Sequence, residues 1–179
     1  MRAMYSLIVV LALFVGGSTK AETDSGDHWA PVRFLLGAWE GLSTGQAGEG
    51  RVSRQYEFVL AERFIRETNT STYPAQEGNP GGEIHEHVGY FSYDKARKLV
   101  VLRQFHIEGF VNQYALSPES EPTKVVFASE HFENFSNEWR ARETYEIIGV
   151  DEFIETFELA PPGKPFEVYS KNHFTRAQP

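Results

Sequence analysis

Cysteine is absent from all 179 residues. No disulfide, thiolate zinc ligand, thiol nucleophile or lipid-modified cysteine can exist in this chain. The fold must therefore rest on an ordinary apolar core. Positive charge is scarce, with 17 Lys and Arg against 25 Asp and Glu. Such an acidic chain repels phosphate backbones and anionic lipid, so nucleic acid and membrane surfaces are poor partners. Long apolar runs are missing as well, except for Leu7 to Val15. Those nine residues fall short of the ~20 needed to span a bilayer. Arg2 precedes them, and small residues at Thr19 and Ala21 follow. The pattern is that of a secretory signal peptide, residues 1–21, cleaved after Ala21. Cleavage removes Arg2 and Lys20 and leaves 15 basic against 25 acidic residues, a net charge of −10. The mature chain is expected to be exported, periplasmic or secreted, with no stable membrane insertion.

What remains is punctuated at short intervals. Residues 22–27 form a polar stub, expected to be disordered. Trp29, Val32 and Leu36 then fall at helical spacing, with Pro31 early and Gly37 just after, which predicts one short helix. Beyond Gly37 the period changes to two. Ten strand-like runs follow, near 38–43, 52–60, 63–72, 83–93, 98–108, 110–116, 124–130, 139–148, 152–159 and 167–175. Turn residues separate them, among them Glu108-Gly109 and Pro161-Pro162-Gly163. No run of 10 to 15 residues between them reads as a crossover helix, so the pairing is expected to be antiparallel. The reading is all-β: a single antiparallel up-and-down β-barrel of about ten strands with a short N-terminal helix, one domain over residues 28–179. The sequons at Asn69 and Asn134 would matter only in a eukaryotic secretory route.

Turn lengths set an expected register for the central meander. An even-length turn at Asp94–Arg97 places His85 opposite His106 and Val88 opposite Arg103. A two-residue turn at Glu108-Gly109 places Tyr114 opposite Arg103. One face then carries Ile84, Glu86, Val88, Tyr90, Val101, Arg103, Phe105, Ile107, Asn112 and Tyr114. The other carries His85, His87, Phe91, Val100, Leu102, Gln104, His106, Val111 and Gln113. The first is the more apolar and is expected to point inward, although one register slip would invert every side chain.

Leu35-Leu36-Gly37-Ala38-Trp39-Glu40-Gly41 resembles the L-x-G-x-W-x-G opening of calycin-like barrels, the group of lipocalins, fatty-acid-binding proteins and nitrobindins. Gly89-Tyr90-Phe91-Ser92-Tyr93-Asp94 is similar to a GY-x-x-YD segment of calycin-like families. The resemblance implies that Trp39 closes one barrel end while the glycines let the first strand bend. It also implies a haem cofactor on His173, which stands where nitrobindins carry their C-terminal haem ligand. This chain departs from both patterns, lacking the nitrobindin Tyr-Pro-Thr segment after its first strand and the fatty-acid-binding Arg-x-Tyr near its C-terminus.

On the face expected to be inward, Arg103 with Tyr114, and Glu86 diagonal to Arg103, would grip an anionic head while Trp39, Phe105 and Tyr90 take the apolar part. His85, His87 and His106 share the opposite face. Three imidazoles can hold a zinc, but with no acidic residue there to orient them they are expected to be solvated, and no metal is expected. His173 shares its face with Lys171, which is costly to bury unpaired, so it is expected to point outward, and no haem is expected. The loop from Tyr73 to Gly82 is long enough to act as a lid. The function expected is that of a lipocalin-like binding protein for a small apolar or amphipathic ligand, monomeric or weakly dimeric. Two alternatives stand beside it: a nitrobindin-like haem protein acting on nitric oxide or peroxynitrite, and a ligand-free structural or interaction barrel.

Overall fold

The computed structural model describes residues 26–178, so the expected signal peptide and most of the expected stub lie outside the described residues. Ten strands follow one another: β1 (Gly37–Gly45), β2 (Gly48–Val59), β3 (Phe64–Tyr73), β4 (Glu83–Asp94), β5 (Leu99–His106), β6 (Val111–Leu116), β7 (Lys124–Glu133), β8 (Arg140–Gly149), β9 (Glu152–Ala160) and β10 (Glu167–Arg176). Each pairs antiparallel with its sequence neighbours, and β1 also pairs with β10, from Trp39 opposite Arg176 to Gly45 opposite Ser170. Closure leaves no strand edge unpaired. Among the described residues no helix is long and apolar enough to cross a membrane.

The segment before β1 departs from expectation. In place of a short α-helix there is a single 3-10 turn, Arg33–Leu35. Its role is that of a plug: Trp29, Val32 and Leu35 are buried in the core. The spacing of Val32 and Leu35 suits three residues per turn, which stacks them on one side. Asp27, expected in the stub, anchors this plug instead. Its carboxylate accepts the backbone N–H of Trp29 at 3.1 Å and two Arg33 guanidinium bonds at 2.8 Å each.

Strand alternation sorts the interior into layers. At the plugged end Trp39, Tyr56, Ile65, Phe91, Leu102, Phe127, Tyr145, Phe153 and Phe174 are all essentially buried. Trp39 ties plug to barrel. Its indole N–H donates to the Leu35 carbonyl at 2.6 Å, its ring meets Phe153 edge-on at 4.7 Å, and the Arg176 guanidinium lies 4.2 Å over it.

On β4 and β5 the inward face is the reverse of the one expected, whereas on β6 Asn112 and Tyr114 point inward as expected. β4 and β5 pair with Asp94 opposite Leu99 and His87 opposite His106, two residues away from the expected register. A shift of two keeps every side chain on its face. The β5–β6 connection differs by one. His106 and Phe110 close a three-residue loop, with the His106 N–H donating to the Phe110 carbonyl at 3.1 Å. Gly109 takes φ +88°, the left-handed position such a loop requires of its last residue. Tyr114 therefore faces Leu102 rather than Arg103. His85, His87, Phe91, Val100, Leu102, Gln104 and His106 turn toward the barrel axis together with Asn112 and Tyr114. Ile84, Val88, Tyr90, Phe105 and Ile107 are left between 36% and 62% exposed on the outer wall.

Trp39→Ala is expected to destabilise the chain by on the order of 3–5 kcal/mol, because it removes a large aromatic that has no room to be replaced. Denaturant melts check this. A loss below ~1 kcal/mol would mean that the plug, rather than Trp39, closes the barrel end.

Candidate functional site: an open polar cavity

The half of the barrel opposite the plug is hollow. A cavity of about 640 Å³ opens between the β1–β2, β3–β4, β5–β6, β7–β8 and β9–β10 connections. Its mouth is aromatic and its floor is polar. Phe110, Phe132, Phe135, Trp139, Phe157 and Tyr169 line the mouth, with Phe135 in edge contact with both Phe132 and Trp139. Arg54, Asn69, Gln104, Asn112, Tyr114, Glu143, Glu155 and Asn172 form the floor, all buried.

The floor is a hydrogen-bonded network centred on one cation. Arg54 donates to the two Glu155 carboxylate oxygens at 2.5 and 2.8 Å, to Asn69 Oδ1 at 2.9 Å and to the Tyr56 hydroxyl at 3.2 Å. It also lies 3.4 Å from Glu67, which accepts the Tyr56 O–H at 3.1 Å and the Gln104 amide at 3.4 Å. Asn172 donates to Glu155 at 2.7 Å. Gly89 makes this possible on the β4 side, since a Cβ there would stand 2.5 Å from a Glu67 oxygen. A third acid, Glu143, accepts the Tyr145 O–H at 2.6 Å.

Three buried carboxylates around one guanidinium cannot all be treated alike. Burial, reinforced by the charges of Glu155 and Glu67, pushes Glu143 up to about 8, so it holds its proton at neutral pH. Burial also opposes ionisation of Glu67, but His87, Arg54 and the Gln104 amide outweigh it and hold the acid at about 2.

On one wall His87 faces His106 across β4 and β5, and His85 stands two residues along β4. His106 Nδ1 is 3.3 Å from His85 Nε2. His85 Nδ1 meets the Glu108 carboxylate at 2.8 Å, and the Asn112 amide meets His106 Nε2 at 3.1 Å. His87 Nε2 lies 3.3 Å from Glu67, off hydrogen-bonding alignment, and both its ring nitrogens are buried without a hydrogen-bond partner. Desolvation, with the neighbouring His87 and His85, pulls His106 down to about 3, so it stays neutral.

Of the residues expected to hold the ligand, only Tyr114 lines this cavity. Trp39 sits in the plugged core. Arg103, Glu86, Phe105 and Tyr90 lie on the outer wall, where Arg103 donates to Gln113 at 2.9 Å and to Ser92 at 3.2 Å. The expected Arg103–Tyr114 grip is thus undone by the one-residue difference at Gly109. The histidines expected on the outside are inside, and Glu67 and Glu108 supply the acids expected to be missing. His173 does face outward, where its Nε2 meets Glu152 at 2.6 Å. The Tyr73–Gly82 loop is pinned rather than free: the Gln76 side chain bonds the backbone N–H and carbonyl of Glu49 at 2.8 and 3.0 Å. Asn69 is buried on Arg54 and unavailable as a glycan acceptor.

Arg54, Glu67, Glu143, Glu155 and Asn172 were missed, although the signal was present. Each lies two residues from a buried aromatic or aliphatic side chain on its strand: Val52 and Tyr56, Ile65, Ala141 and Tyr145, Phe153, and Phe174. A charge inside an otherwise apolar period-2 face is a charge pointing inward.

No protein-family model matches the chain, and no curated protein matches it. Among solved structures it is similar to Rv2717c from M. tuberculosis, at 16% identity over 86% of this chain and 99% of that one, with a TM-score of 0.63. It is also similar to the S-type phycobiliprotein lyase CPES from Guillardia theta, at 15% identity over 82% and 90% of the two chains, with a TM-score of 0.50. Identities this low establish the fold alone. The fold is the ten-stranded antiparallel barrel of the calycin-like type.

The buried acids fix a pH profile. Glu143 is protonated up to about pH 8 when folded but only to its ordinary 4.5 when unfolded. Its contribution is full below pH 4.5 and declines toward pH 8, by about 1.4 kcal/mol per unit at most. His106 acts oppositely, losing stability as pH falls from 6.5 toward 3, and Glu67 does so from 4.5 toward 2. Stability is expected to peak between about pH 4.5 and 6.5 and to fall from 6.5 to 8. Glu143→Gln should abolish that alkaline fall. Melting temperatures that stay level from pH 6.5 to 8, or that fall equally in the variant, contradict a buried neutral Glu143.

Proposed function

We propose that this protein is an exported, lipocalin-like binding barrel that holds one small amphipathic molecule in its open half. The observation that carries the reading is the preformed cavity of about 640 Å³ with an aromatic mouth and a hydrogen-bonding floor. Its size falls in the range of small-molecule sites, and its polarity is graded along one axis. The floor also says which end of a ligand it suits. Arg54 is already bidentate to Glu155, and acids outnumber it, so a carboxylate head finds no free cation there. An uncharged, hydrogen-bonding head fits the Asn112, Asn172 and protonated Glu143 groups, with Asn172 Oδ1 buried and unpartnered. The anionic head expected on Arg103 gives way to this neutral one. The haem alternative loses the support of its proposed ligand, because His173 stands on the outer wall. A barrel free of haem accords with the neutral-ligand reading, and an absorbance spectrum without a Soret band would agree with it.

Titration with the uncharged dye Nile red tests the cavity. One saturable site with a blue-shifted emission is expected. Trp139→Ala should weaken binding by about tenfold, the worth of one lost aromatic contact. Arg103→Ala, on the outer wall, should leave it unchanged. No saturable site, or an equal loss in both variants, would contradict the proposal.

A further inference from the structure

We propose that His85, His87 and His106 form a site for one divalent transition-metal ion of the zinc type at the wall of the cavity. One ligand nitrogen from each of the three can be chosen so that all lie within 4.8 Å of one another. Zinc–imidazole bonds of about 2.0–2.1 Å in tetrahedral geometry separate neighbouring nitrogens by roughly 3.3–3.4 Å. His85 Nε2 and His106 Nδ1 stand 3.3 Å apart. The other two separations are bounded only by 4.8 Å, and an adjustment of the His87 ring would close them on an ion.

The assignment of atoms follows from the partners of the other nitrogens. His85 Nδ1 is taken by Glu108 at 2.8 Å, which leaves Nε2 for a metal. His106 Nε2 meets the Asn112 side-chain amide at 3.1 Å, which leaves Nδ1; rotation of that amide by 180° presents its oxygen to an Nε2–H. His87 Nε2 lies 3.3 Å from Glu67, which leaves Nδ1. Ligating histidines ordinarily donate their other ring N–H to a carboxylate or amide oxygen, which fixes the tautomer and ring orientation. His85 has such a partner in Glu108, His106 gains one on rotation of the Asn112 amide, and Glu67 stands beside His87 Nε2, 3.3 Å away and not yet aligned.

His87 supplies the independent indication. It is 7% exposed, and neither ring nitrogen has a hydrogen-bond partner. A buried polar group left unsatisfied is costly, so a protein rarely keeps one without use. A metal on Nδ1 and a realigned Nε2–H on Glu67 would satisfy both atoms at once. Glu67 is in turn fixed by Tyr56, Gln104 and Arg54, so its position does not depend on the ion. Three protein ligands leave a fourth position, and all three histidines line the cavity. That position faces the hollow, open to water or to an oxygen donor of whatever the cavity holds.

The site does not depend on the amphipathic-ligand reading, and its test uses the metal alone. The untagged mature protein is stripped with a chelator and titrated with Zn²⁺ against a chromophoric competitor, and separately with Co²⁺. One ion per chain with micromolar or tighter affinity is expected, along with the intense visible bands of four-coordinate Co²⁺. The double variant His85→Gln/His106→Gln should lose at least about 100-fold in affinity, beyond the 10–100-fold ordinary for an outer-partner loss. Both positions are only partly buried, and circular dichroism verifies that the variant folds. Glu67→Gln should weaken binding by about 10–100-fold with the same stoichiometry. His131→Gln/His173→Gln, on the outer wall, should change nothing. No stoichiometric uptake, Co²⁺ bands of six-coordinate intensity, or equal affinity in the His85/His106 variant would overturn the proposal, whatever Nile red does.

Discussion

Arg54 reaches from β2 to Glu155 on β9, past the two strands between them, with its guanidinium 4.9 Å over the ring of Phe174 on β10. The same group stands 3.4 Å from Glu67 on β3. The inner arrangement depends on this one buried cation. Without it, Glu67, Glu143 and Glu155 would face one another across a low-dielectric space, where like charges cannot all ionise. Burying ions costs several kcal/mol each, and pairing commonly recovers that only in part, so a buried ion network is a weak contributor to stability. A polar floor retained at that cost marks the half of the barrel that is kept for something other than stability.

The chain divides its interior accordingly. The plug and the aromatic layer around Trp39 supply the core, and the Arg54 network forms a polar partition. Beyond it lies the hollow half. The partition also links to the histidine wall, because the acid that Arg54 stabilises, Glu67, is the one beside His87. Floor and wall are therefore parts of one electrostatic unit, and a change at Arg54 would be felt at His87 without any contact between them.

The fold was largely legible in the sequence, and the site was not. All ten strands came from period-2 runs and turn residues, because closure of a meander needs only local alternation and short connections. Trp39 was legible from its motif. The inward face was misjudged for a physical reason: on β4 and β5 the outer wall carries Ile84, Val88, Tyr90, Phe105 and Ile107, whereas the inner one carries His85, His87, Gln104 and His106. Apolar content points inward only where a barrel is filled, and this half is hollow. The turn at Gly109 then separated Tyr114, which stays inward, from Arg103, which faces out. A glycine suits both a two-residue hairpin and the left-handed position of a three-residue loop, and the two differ by one residue of register. Trp29, Val32 and Leu36 showed that an apolar turn precedes the barrel but not whether it was α or 3-10, and the 3-10 turn buries Leu35 rather than Leu36.

The central claim is that the open half of the barrel is a binding cavity rather than a packing defect. Native mass spectrometry tests it most directly, on protein expressed in its own host and purified without detergent. The expected spectrum shows the polypeptide carrying one non-covalent organic adduct, on the order of a few hundred daltons, released on collisional activation. The bare polypeptide in every charge state would contradict the claim.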